Sequence, residues 1–77
     1  MFTVLLFAHL QEEVGQHQLQ VEQADITVNE LKEKLAGQYK LTQMNQVMVS
    51  INEEFATEDD VIKSGDTVAF IPPVSGG

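Results

Sequence analysis

Phe2-Thr3-Val4-Leu5-Leu6-Phe7-Ala8 opens the chain with apolar residues on both parities, Val4, Leu6 and Ala8 on one side and Leu5 and Phe7 on the other. A strand sends successive side chains to opposite faces, so a run over residues 2 to 10 that is apolar on both must be covered on both. In a chain of 77 residues without cysteine, neither a disulfide nor a thiolate metal site helps to hold a fold, and one core has to hide that strand. The length allows a single domain.

The remaining elements say what covers it. Glu12-Glu13-Val14-Gly15 reads as a turn, and His17 to Glu22 alternates as a half-exposed second strand, which predicts a hairpin. Thr27-Val28-Asn29-Glu30 has capping-box spacing and opens a helix whose apolar stripe is Val28, Leu31 and Leu35, with Gly37 as its stop. Gln46 to Ile51 places Val47, Val49 and Ile51 on one parity, Asn52-Glu53-Glu54 turns the chain into a stub around Phe55, and Ser64-Gly65-Asp66 feeds a final strand, Thr67 to Ile71. Hairpin, helix, short strands, final strand is the order of an α+β, ubiquitin-like β-grasp: a mixed sheet, first and last strands adjacent at its centre, one main helix on one face.

That arrangement leaves one face of the sheet without a helix. If Val4, Leu6, Val68 and Phe70 meet the helical stripe, Leu5, Phe7, Ala69 and Ile71 go to the other side and form an apolar patch, which is a contact surface unless loops cover it. Directly after Ile71 come Pro72-Pro73-Val74-Ser75-Gly76-Gly77. The prolines stiffen the chain and end the strand, and two glycines present a backbone carboxylate that bare-backbone slots admit. The expected division is a domain over 1–71 and an extended arm over 72–77, long enough to hold its carboxylate roughly 20 Å from the body. A frayed end is the plainer alternative, but no charged side chain follows Asp66.

Twelve acids against four lysines, with no arginine, set a net charge of -8, which opposes nucleic acid binding and suits either solubility or a basic partner. The N-terminal run is too short for a membrane span and lacks a basic leader, so a soluble, cytoplasmic chain is expected. His9 and His17 have no third ligand at metal-binding spacing, Met44 and Met48 read as core or partner-facing filler, and the pairs Glu53-Glu54 and Asp59-Asp60 read as solvated turns. Nothing before the tail carries a catalytic motif.

Val4 to Ala8, the Thr27 to Leu35 helix and above all Gly65-Asp66-Thr67-Val68-Ala69-Phe70-Ile71-Pro72-Pro73-Val74-Ser75-Gly76-Gly77 resemble the family of small, sulfur-carrying subunits of molybdopterin synthase. Gln11 departs from it, standing where members often carry arginine. The resemblance implies that an adenylyltransferase resembling ubiquitin-activating enzymes uses ATP and magnesium to activate the Gly77 carboxylate. A sulfur donor protein then converts it to a thiocarboxylate, which attacks cyclic pyranopterin monophosphate inside the large catalytic subunit, within a heterotetramer. It further implies that this chain binds no cofactor or metal and has no catalytic site of its own, that Phe7, Phe55 and Ile71 bind the partner, and that Pro72, Pro73, Val74, Ser75 and Gly76 enter it. Three other readings stay open: a sulfur carrier for thiamine thiazole synthesis, a modifier joined to lysines, and a non-reactive binding module.

Overall fold

The computed structural model describes residues 1–41 and 44–73. Its elements are β1 (Phe2–Leu6), α1 (Ala8–Val14), β2 (Gln18–Val21), β3 (Ile26–Thr27), α2 (Val28–Tyr39), a 3-10 turn (Met44–Gln46), β4 (Met48–Ile51), β5 (Glu54–Ala56), β6 (Val61–Ile62) and β7 (Thr67–Ile71). The main sheet has the order β2-β1-β7-β4-β5, with β3 and β6 paired separately. β1 and β7 run parallel at its centre, Val4 beside Val68 and Leu6 beside Phe70. Parallel neighbours need a crossover, and α2 supplies it. This is the β-grasp that the element order implied.

α2 forms where the capping pattern placed it. The Thr27 side-chain oxygen accepts the Glu30 amide at 3.1 Å while the Glu30 carboxylate accepts the Thr27 amide at 2.9 Å, so two of the helix's orphan donors are satisfied reciprocally. Val28, Leu31 and Leu35 from this helix join Phe2, Val4, Leu6, Val49, Val68 and Phe70 in one buried cluster. Gly37 does not stop the helix, which continues to Tyr39 and ends on Lys40 in the left-handed region at φ 56°. A glycine inside a helix costs only about 1 kcal/mol, and Ala36 and Tyr39 on either side of Gly37 pack against the core.

The largest departure from the sequence reading lies between β1 and β2. The first strand ends at Leu6 rather than running to residue 10, and the connection is a helix, not a tight turn at Glu12 to Gly15. Leu10 and Val14, four residues apart, share the inner face of α1. Leu10 is completely buried, Val14 packs against the core, and Gly15 closes the helix at φ 84° with its amide on the Gln11 carbonyl. A strand through residue 10 would have kept Leu10 on the sheet; the helix instead plugs it into the end of the core.

Two further corrections are smaller. Gln46 and Val47 precede the third long strand instead of opening it, and β3 and β6, two residues each, were not expected. The β4–β5 hairpin turns through Asn52 and Glu53, both left-handed at φ 52° and 71°, the backbone of a two-residue type I′ turn. Asn52 ties this turn to the start of β7, donating from Nδ2 to Asp66 Oδ1 at 3.0 Å and accepting the Thr67 amide at 3.0 Å.

Candidate functional site

The strand registers fix which side chains share the face that α2 leaves bare. Gln18, Leu5, Ala69, Ser50 and Phe55 lie side by side across all five strands. One step toward the start of β7, the neighbours are Gln20, Thr3 and Thr67, where Gln20 Nε2 donates to Thr3 Oγ1 at 3.0 Å. One step the other way, Ile71 stands beside Met48. The face is therefore graded, polar where β7 begins and apolar where it ends.

Parity decides burial in the two central strands, while in β4 Ser50 is buried although it lies on the open face. Val4, Leu6, Val68 and Phe70 are buried under α2, while Leu5, Ala69 and Ile71 are only half-buried and Phe7 is 45% exposed. Met48 and Phe55, at 51% and 73%, complete the patch. The expected apolar face exists, with Phe7, Met48 and Phe55 exposed on it. Phe7 and Ile71 come together, walling a cleft of about 350 Å³ whose other lining residues are Ala8, Ala69 and Pro72. Phe55 shares the face but not the cleft. It stands at the sheet edge beyond Ser50 and lines a separate hollow with Ile51, Glu54, Asp60 and Val61.

Met44 and Met48 both read as core or partner-facing filler, and the structure divides them: Met44 is buried and Met48 lies on the open face. The sequence carried that signal, because Val47 and Val49 are buried on the opposite parity.

β7 delivers the chain to this end of the face. Pro72 is buried against the body and Pro73 is exposed. Val74, Ser75, Gly76 and Gly77, the expected reactive end, lie outside the described residues.

Charge is distributed unevenly around the patch. Lys32 and Lys34 lie on α2, Lys40 caps it, and Lys63 precedes β7, whereas no strand of the main sheet carries a lysine. Lys63 pairs with Asp25 at 3.0 Å and Lys32 stands 4.0 Å from Glu58. At the base of β7, the amide of Lys63 donates to Asp66 Oδ2 at 2.9 Å. That bond, followed by the Asn52 side-chain bond, outweighs a small opposing effect of burial and holds the Asp66 carboxyl below its ordinary value. Among the described residues no cluster of His, Cys, Asp or Glu could hold a metal ion, and no helix is long and apolar enough to cross a membrane. Both histidines are exposed, His9 on α1 and His17 just before β2.

Known proteins resemble this chain along its whole length. The model of the ThiS family matches residues 4–77. The molybdopterin synthase sulfur carrier subunit of Haemophilus influenzae is 33% identical over 100% of both chains, and that of Escherichia coli is 32% identical over 100% of both. Among solved structures, SAMP1 from Haloferax volcanii superposes with a TM-score of 0.82 at 29% identity, over 99% of this chain and 98% of that one. The same fold recurs, at 19% identity and a TM-score of 0.69 over 99% and 97%, in the complex of subunits 1 and 2 of the molybdopterin-converting factor from Helicobacter pylori.

Proposed function

The chain belongs to the ThiS family, and on that premise we propose that it is the sulfur carrier subunit of a molybdopterin synthase, acting in molybdenum cofactor biosynthesis. The observation that carries the proposal is the end-to-end match to curated carrier subunits, joined to an exposed apolar face at the root of a Pro-Pro-Val-Ser-Gly-Gly end.

The chemistry follows from what a backbone carboxylate lacks. It is a poor electrophile at neutral pH, so an adenylyltransferase spends ATP, with magnesium, to join AMP to Gly77 and release pyrophosphate. Sulfur delivered at the sulfide level by a donor protein displaces AMP and leaves a thiocarboxylate, an anionic and polarizable nucleophile. In the large subunit this sulfur attacks cyclic pyranopterin monophosphate, and water returns Gly77 to the carboxylate. Two such deliveries complete the dithiolene.

Acid, base and phosphate-binding groups belong to the large subunit in this scheme, and the carrier contributes reach and docking. Phe7, Ile71 and Phe55, with Met48, form the hydrophobic contact, and the arm from Pro73 to Gly77 enters the partner while Pro72 anchors its root. Burying the patch aims the arm, because Ile71 belongs to the patch and lies two residues before Pro73. The adenylyltransferase and the large subunit use the same face in turn, so they compete.

Deleting Gly77, or adding a residue after it, abolishes sulfur transfer to the pterin precursor while the circular dichroism spectrum and melting curve stay those of the intact chain. An extended, unprocessed chain that stayed fully active would refute the assignment. A modifier role is the second reading, favoured by the likeness to SAMP1, which a neighbouring structure names small archaeal modifier protein 1. It predicts a ladder of conjugates on target proteins, whereas a carrier gains one sulfur and forms no ladder.

A further inference from the structure

The cleft at the root of the arm depends on a backbone conformation that alanine seldom adopts. Ala8, the first residue of α1, stands at φ 52°, in the left-handed region. The other non-glycine residues found there are accounted for by their places: Asn52 and Glu53 turn a hairpin, Lys40 ends a helix, and Asp25 is a residue type enriched in that region. Ala8 has no such local reason. Its conformation is imposed by its neighbours, since Leu6 and Leu10 on either side are both fully buried and the Leu10 amide closes the step by donating to the Phe7 carbonyl at 3.1 Å. Between two core anchors four residues apart, the chain must reverse, and it does so at Ala8. The residue before the reversal, Phe7, is thereby placed on the open face, where it lines the cleft with Ile71 and Pro72.

We propose that Ala8 is a positioning residue for docking: its left-handed backbone holds the Phe7 ring as a pre-set wall of the cleft at the root of the arm, and the large subunit binds against that wall. A ring already in place need not be ordered on association, so the contact forms at lower entropic cost. A residue that rejects positive φ has to lengthen β1 past Leu6 or release Leu10 from the core. Either change moves the ring relative to Ile71 and Pro72. The partner named here rests on the function proposed above, whereas the link from Ala8 to Phe7 does not.

The test sets tolerance for positive φ against side-chain size. Asparagine and valine are close in volume, but asparagine accepts the left-handed region and a β-branched valine does not. In titrations with the large subunit, Ala8→Val weakens docking about tenfold or more relative to Ala8→Asn, which adds similar bulk to the cleft, and that gap closes when both changes are made beside Phe7→Ala because the backbone effect acts through the ring. In NMR spectra of the free chain, the ring-current shifts of the Ala69 and Ile71 methyl groups survive in Ala8→Asn and vanish in Ala8→Val. Should the valine variant not fold, Ala8→Thr, also β-branched and close to asparagine in volume, takes its place in both measurements.

Equal losses in the asparagine and valine variants, or ring currents that persist in Ala8→Val, overturn the proposal. A wild-type chain that does not bind the large subunit would instead overturn the functional assignment, and the ring currents would still decide what Ala8 does.

Discussion

Replacing Phe55 by alanine separates docking from folding more cleanly than any other change on the open face. Its ring is 73% exposed at the sheet edge, so little of it stabilises the monomer. A phenylalanine offers roughly 200 Å² of surface, which leaves about 150 Å² for a partner to cover. At about 25 cal/mol per Å², full coverage would contribute about 3.7 kcal/mol. Incomplete coverage and the ordering of facing side chains reduce this to about 2 kcal/mol, which corresponds to roughly a thirtyfold rise in Kd. The free chain should lose no more than about 0.5 kcal/mol, as is usual for an exposed site. Calorimetric titration with the large subunit reads the first quantity and denaturant unfolding the second. An unchanged Kd, or a stability loss as large as the binding loss, would show that the face has been assigned wrongly.

Three other substitutions test the fold that presents the face. Leu10→Ala, which empties a fully buried position in α1, should cost about 2–5 kcal/mol in denaturant unfolding, whereas a surface strand residue would cost almost nothing. Thr27→Ala removes one half of the capping box and should lower stability by about 1 kcal/mol, visible as a drop of about 4–8 °C in Tm. Asp66 is ionised with a folded pKa below its unfolded one, so its contribution is complete above about pH 4 and fades as the pH falls through the depressed value. Asp66→Asn should therefore melt lower than wild type by a constant margin at neutral and mildly acidic pH, and that margin should shrink in stronger acid; a margin independent of pH throughout would contradict the linkage.

What the amino-acid sequence disclosed, and what it concealed, follows from how many residues each signal spreads over. α2 was legible because its cap, its three-residue stripe and its solvent face agree. β7 was legible because Gly65-Asp66 and Pro72-Pro73 bracket it. Period-two alternation in β1 and β7 is enough to assign the open face, and with it Phe7 and Ile71.

α1 was concealed because Phe2 to Leu10 is nearly continuous in apolar residues and the helix is only seven long. Its Phe7 cap makes no side-chain hydrogen bond, so no N-terminal signal announces it; Leu10 and Val14 followed by Gly15 are its only trace. β3 and β6 exist through mutual pairing, Ile26 against Ile62, and two residues carry no period to read. Gly37 misled because propensity punctuates a helix only where packing does not override it. The Ala8 reversal is set by Leu6 and Leu10 together, a tertiary demand with no local sequence signature.

The central claim is that the reactive group is the carboxylate of Gly77, which carries an atom supplied from outside. Intact mass spectrometry of the chain, incubated with its adenylyltransferase, ATP, magnesium and a sulfur donor, tests it directly. The account predicts the replacement of one oxygen by one sulfur, located at Gly77 by fragmentation and dependent on ATP. An unchanged mass under conditions where the enzyme adenylates the chain, or sulfur found at any other residue, would contradict it.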